Sequence, residues 1–315
     1  MSKISKLIFF RVVQAVLVLL GISLLIFGLL AIAGGDALTA LHGHAMISDE
    51  TLAKWRGIYG LDQPLWVRYG RWLSEIVNGS LGYSRSFQAP VANIIWPRLW
   101  RSFALASVAM VISWTVSLTV GIAAAVRFNS WLDRVCDLVV LLSASMPRLV
   151  LSLTALTFIT HLAWFGADQP TGETPVGAFS LQVLPPALIL CVPLISLFLP
   201  LTRTSVKMVL SQEYVSVARA KGLPERIVLF RHVLRPALNP MLTIFGYELG
   251  SVISGSVIVE KVLGWPGLGA LSVSAVQSRD LPLLMGVVLV TATAVLVGNL
   301  LADILIRLND PRLRQ

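Results

Sequence analysis

Six runs of nearly unbroken apolar residues divide the chain, covering residues 10–33, 102–126, 137–165, 181–202, 238–259 and 283–306. Each reaches the roughly 20 residues that a helix needs to cross a hydrocarbon core. Lipid offers no water to backbone N–H and C=O groups, so a spanning run must satisfy them within a helix. The pattern predicts an all-α membrane protein with six transmembrane helices. The third run is long and contains Pro147, which predicts tilt or a kink there. Two polar intervals stand out between the runs: 34–101, rich in Trp, Tyr and Arg, and a strongly basic interval after 202.

Composition agrees with the pattern. Hydrophobic residues make up 56% of the 315 positions and charged residues 13%, against about 25% charged in a soluble domain. The charges also orient the chain. With the first end in the cytoplasm, fifteen basic residues fall on that side: Lys3, Lys6, Arg11, Arg127, Arg134, seven from Arg203 to Arg235, Arg307, Arg312 and Arg314. The short loops opposite hold Lys261 and Arg279, and the long interval 34–101 exceeds the length over which the positive-inside rule counts. This predicts a multi-pass membrane protein with both termini cytoplasmic. The net charge of +9 is that of juxtamembrane Lys and Arg facing anionic lipid, so it requires no nucleic-acid partner. The first run is too long for a signal peptide and lacks a small-residue cleavage site before Gly34-Gly35-Asp36, so it reads as a retained helix. Cys136 and Cys191 lie on different membrane runs and read as buried free thiols. His42-x-His44 in a loop makes no metal site, and no metal ligands are assigned.

The basic interval has the local chemistry of a helix–turn–helix. Ser211 can cap a helix whose first turn holds Glu213, and Lys221-Gly222 closes it with a basic last turn and a residue free to adopt positive φ. Pro224 suits the start of a second helix, and Pro236 its end. This stretch, SQEYVSVARAKGLPERIVLFRHVLRPALNP, resembles the cytoplasmic coupling loop of ATP-binding-cassette importer permeases, in the ARAKGL form of the dipeptide/oligopeptide/nickel branch. The family's Glu-Ala-Ala reads Ser216-Val217-Ala218 here, so no acidic contact carries over from the missing Glu. Two further blocks share the resemblance: GLDQPLWVRYGRWLSEIVNGSLGYS, like the first outer loop, and VEKVLGWPGLGALSVSAVQSRDLP with Asn299, Asp303 and Asp310-Pro311-Arg312, like the last loop, helix and tail. Within the first block, Leu65, Tyr69 and Trp72 are spaced as one face of a helix lying along the membrane surface.

The resemblance implies a type I importer-like transmembrane domain with a cytoplasmic coupling helix, placed in a bacterial-type cytoplasmic (inner) membrane. Its divisions would be a cytoplasmic N-terminus 1–9, a first transmembrane helix 10–33, an outer, periplasmic-side segment 34–101, and a permease core 102–315 with five transmembrane helices and a coupling loop 203–237. It implies a translocation subunit, not an enzyme, importing di- or oligopeptides or similar small solutes; branch members also handle nickel or metal chelates, glutathione and some opines. The implied partners are a homologous second permease, two ATPase subunits and an extracytoplasmic substrate-binding protein. No G-x-x-x-x-G-K-[S/T] loop occurs, so ATP and Mg would be bound by the partner ATPases and no cofactor by this chain. The coupling contact falls on Glu213, Tyr214, Ala218, Arg219, Ala220, Lys221, Gly222 and Leu223, with Arg219 and Lys221 offering charge-assisted bonds.

Gly246 and Gly250 form a G-x-x-x-G on the fifth run, a packing signal; the resemblance makes the same face a wall of the translocation path. Arg148 and Glu248 stand at similar depth in apolar sequence, where each isolated charge costs at least about 2.5 kcal/mol. They are candidates for a pair facing a polar cavity and bearing on substrate charge, or for a structural pair unconnected with substrate. No H-E-x-x-H or G-x-S-x-G occurs, and no catalytic residue is assigned. An ion-gradient-driven secondary transporter is the alternative, and it would not need a capped basic helix–turn–helix.

Overall fold

The structure is a computed structural model describing residues 3–32, 63–161 and 176–309. His42 and His44, the aromatic residues before Gln63, and the Asp310-Pro311-Arg312 tail lie outside the described residues. The chain divides into two compact units, residues 1–102 with 266–296 and residues 103–265 with 297–315.

Among the described residues, five helices are long and apolar enough to cross a membrane, and a bent helix pair supplies a sixth run. In chain order the long helices are α1 (Lys3–Ile32), α3 (Val91–Val126), α6 (Val176–Leu210), α10 (Asn239–Gly255) continued by α11 (Val257–Val262), and α13 (Leu281–Asn309). The third apolar run is two helices, α4 (Trp131–Ser145) and α5 (Arg148–His161), meeting at 97°. Pro147 is the cause. A residue before proline is driven out of the helical region, and Met146 sits at φ −88°, ψ 118°. The Pro147 carbonyl then accepts from Leu151 N at 3.1 Å and starts the next helix.

In the first unit, the amphipathic helix α2 (Leu65–Val77) packs on α1 through the expected face: Tyr69 OH and Ser23 Oγ share a 2.9 Å hydrogen bond, and Tyr69 stacks on Trp72. Leu65, the third position of that face, is exposed. A two-stranded hairpin, β1 (Tyr83–Ser84) and β2 (Ala89–Pro90), follows and leads into α3. Its core consists of Val91 and Ile95 against Leu268, Leu271 and Ala275 of α12 (Leu268–Gln277) and Leu283, Leu284 and Val287 of α13. Asp280, buried just before α13, ties the hairpin down. Its Oδ2 accepts from Ser84 Oγ at 2.7 Å, Ser86 N at 3.0 Å and Ser86 Oγ at 2.6 Å, while Oδ1 accepts from Leu283 N at 3.2 Å. Burial pushes the carboxyl upward, but these four donors outweigh it and hold Asp280 below the ordinary aspartate value.

In the second unit, Trp114 of α3 packs edge-on to Phe198 of α6 and Phe245 of α10. A Cβ on Gly246 would stand 2.1 Å from Ala302 Cβ and 2.7 Å from the Gly298 carbonyl, so α10 and α13 meet backbone to backbone there.

Candidate functional site

The basic interval folds as two short helices on the end of α6. Although α6 carries four prolines, the last is Pro200 and no proline or glycine follows before Ser211, so the helix runs through Arg203 and Lys207 to Leu210, past the expected boundary at 202. The helix α7 (Glu213–Ala220) follows where the coupling helix is expected, with Glu213 in its first turn. Ser211 is not the cap: Gln212 takes that position without a side-chain bond, and Ser211 Oγ instead donates to the Met208 carbonyl at 2.9 Å. Gly222 stands at φ +75°, donating from its N–H to the Arg219 carbonyl at 2.9 Å, which is the expected helix stop.

The second helix is less regular than its sequence suggests. Pro224 caps α8 (Glu225–Ile227), a π-helical turn covers Val228–Val233, and α9 (Leu234–Ala237) completes it. Pro236 lies within α9, and α10 starts at Asn239, so the proline does not end the run. The wide π-turn places Val228 and Val233, five residues apart, in the same core, where both are fully buried.

That core decides which site residues face outward. Ala125 of α3, Val206 of α6, Val215 and Ala218 of α7, Val228, Val233 and Ala237 form one apolar cluster. Ala218 is therefore turned into the loop's own interior, while Glu213, Tyr214, Arg219, Ala220, Lys221, Gly222 and Leu223 are exposed. Arg219 is engaged within the loop: its Nε donates to Glu225 Oε2 at 3.1 Å and its Nη2 to Oε1, a two-point clamp across Gly222. The mutual hydrogen bonds hold Glu225 below the usual glutamate value and Arg219 above the usual arginine value.

The outward surface is unusually apolar for a polar loop. Tyr214 is 46% exposed, Val217 52%, Ile227 43% and Phe230 68%. These exposed apolar side chains stand among the basic residues Arg219, Lys221, Arg226 and Arg231.

Of the pore candidates, Gly246 is filled from within the chain by Ala302 of α13, which makes it a packing residue, and Gly250 is buried. Arg148 opens α5 directly after the Pro147 break, and Glu248 is half-buried on α10, so the two candidates sit on different helices.

Two constellations had weak sequence signals. Asp133 and Asp137 bracket Arg203: Nη1 lies 2.8 Å from Asp133 Oδ1 and 2.7 Å from Asp137 Oδ1. Their i, i+4 spacing was the legible part, but the cation lies 70 residues away along the chain. Asp280 likewise binds Ser84 and Ser86 across almost 200 residues. The two cysteines are free and buried, as expected, and no cluster of metal-ligating residues occurs among the described residues.

Against known proteins, residues 117–315 match the family described as binding-protein-dependent transport system inner membrane component, and residues 4–123 match the N-terminal model of that family. The chain belongs to this family. The permease is 35% identical over 306 residues to a putative peptide permease protein of Brucella suis, covering 94% of this chain and 95% of that one. It is 35% identical over 312 residues to an oligopeptide transport system permease protein of Bacillus subtilis, with 96% and 97% covered. A dipeptide transport system permease protein of Alkalihalophilus pseudofirmus is 29% identical over 327 residues, with 96% and 98% covered. The permease is thus a multi-pass inner-membrane subunit of a binding-protein-dependent, ATP-binding-cassette import system, and the ion-gradient alternative finds no support.

Proposed function

We propose that this permease forms one half of the translocation path of a peptide importer, moving di- or oligopeptides inward by alternating access. Its termini lie in the cytoplasm. The complete complex pairs it with a homologous permease, two ATPase subunits and a substrate-binding protein delivered to the outer segment, with all nucleotide chemistry in the ATPases. The peptide class is supported by the peptide, oligopeptide and dipeptide permeases that align along nearly the whole chain.

The observation that carries the coupling part is the exposed apolar surface on a rigid basic loop. Tyr214, Val217 and Leu223 stand outward beside Lys221, while Val215 and Ala218 anchor the same helix to α6 and α3. A helix held this way cannot move without moving the ends of two membrane helices. Seating it in a groove of an ATPase subunit converts closure of the ATPase pair into tilting of those helices. Mass spectrometry of the tagged chain, gently solubilised from native membranes, tests the assembly. Recovery of a P-loop ATPase, a second permease and a binding protein is expected; recovery of this chain alone, with uptake that follows an ion gradient, would overturn the reading.

Arg148 and Glu248 are the selectivity candidates. Arg148 at the break and Glu248 on α10 support a charged site for the termini of a peptide, since zwitterionic substrates present one group of each sign.

A further inference from the structure

The last two turns of α6 are gripped from two sides. On one side Val206 enters the apolar core of the coupling loop with Val215 and Val228. On the other, Arg203 and Lys207, four residues apart and so on one face, hold the start of α4. Arg203 Nη1 bonds Asp133 and Asp137, and reaches the Asp133 carbonyl at 3.3 Å. The Lys207 ammonium lies 3.3 Å from the centre of the Phe128 ring, close enough for a cation–π contact. The turn before α4 is itself fixed on Asp133, whose Oδ2 accepts from the N–H of Asn129, a residue at φ +61°.

We propose that Arg203 is a positioning residue that passes displacement of the coupling loop to α4, and so sets the angle at the Pro147 break next to Arg148. This rests on the coupling role proposed above. The physical reasoning is one of stiffness. Asp133 is almost fully buried, so releasing its cation leaves a desolvated carboxylate, and the helices move together rather than separate. An apolar contact alone, such as Cys136 against Leu199 further along the same pair, lets helices slide. The ionic and cation–π contacts fix both register and rotation at the cytoplasmic end. The moving element is then α4 as a rod, pivoting where Met146 leaves helical geometry. A coupling route needs an element that both ends bias, and the 97° joint is that element.

The test uses the assembled complex in nanodiscs, with native cysteines replaced by serine and spin labels at Leu141→Cys and Phe158→Cys, which lie on either side of the joint and are exposed. Distances are measured with and without MgATP plus vanadate, so no transported solute is needed. Co-purification of ATPase subunits and their hydrolysis rate are measured on the same samples. The expected result is a nucleotide-dependent distance change in the parent. It should shrink in Asp137→Asn, be lost in Arg203→Met and return in Arg203→Lys, while assembly holds and hydrolysis stays within about twofold. Asp137 is largely exposed, so its variant folds even if Arg203→Met does not. A distance change of parental size in both Asp137→Asn and Arg203→Met would overturn the proposal. So would loss of assembly and hydrolysis in step with the distance change, which would mark the triad as structural. If the ATPases fail to co-purify with the parent itself, the coupling reading falls first.

Discussion

Replacing Gly222 separates backbone geometry from contact with a partner. A Cβ at this position would meet nothing within 4 Å in the chain itself, so no neighbour in the permease opposes a side chain. What opposes it is φ +75°. For an L-residue with a Cβ the left-handed region costs about 1–2 kcal/mol, less for Asn, whose side chain bonds locally, and more for a β-branched residue. Since about 1.4 kcal/mol is a tenfold population change, Gly222→Ala should reduce the fraction of loops with native geometry relative to unstrained alternatives by roughly 5- to 30-fold. The expected order of coupled ATP hydrolysis in proteoliposomes, with binding protein present, is Gly, then Asn, Ala and Val. Membrane insertion, followed by yield and proteolysis pattern, should be equal in all four. If Asn is as damaging as Val, the obstacle is the partner's surface and not φ. If Val supports hydrolysis and uptake at the parental rate, the loop has no coupling role and the reasoning fails.

Three further perturbations follow from the packing and electrostatics. Gly246→Ala forces α10 and α13 apart against Ala302 and the Gly298 carbonyl; thermal unfolding in detergent should register about 1–3 kcal/mol of destabilisation, part of which Ala302→Gly recovers, and an unshifted midpoint would contradict the close approach. Asp280 has a depressed pKa in the fold, so its contribution is present above the ordinary carboxylate pKa and is lost as pH falls through the folded value; Asp280→Asn should flatten the acid limb of the stability profile, whereas an unchanged limb would show that the hairpin clasp does not depend on the charge. Exchanging both Arg148 and Glu248 for neutral residues should alter the relative uptake of acidic, basic and neutral peptides; an unaltered preference assigns the pair to structure alone.

Much of this architecture was legible because a bilayer imposes a length and a composition on anything that crosses it. The six apolar runs, the positive-inside asymmetry, the helix stop at Gly222 and the kink at Pro147 are local or compositional, and each can be read from neighbouring residues. The family blocks were legible for the same reason, being contiguous in the chain. What tertiary structure alone decided is which side chains face which way. Ala218 and Arg219 are adjacent in sequence, yet one fills the core with Val228 and the other clamps Glu225. The π-turn that buries both Val228 and Val233 departs from the regular helical period on which any pattern reading relies. The grip of Asp133 and Asp137 on Arg203, and of Asp280 on Ser84 and Ser86, joins residues far apart in the chain whose separate signals are ordinary. Burial and hydrogen-bond partners are properties of the packed molecule, because they depend on which surfaces meet after the helices have formed.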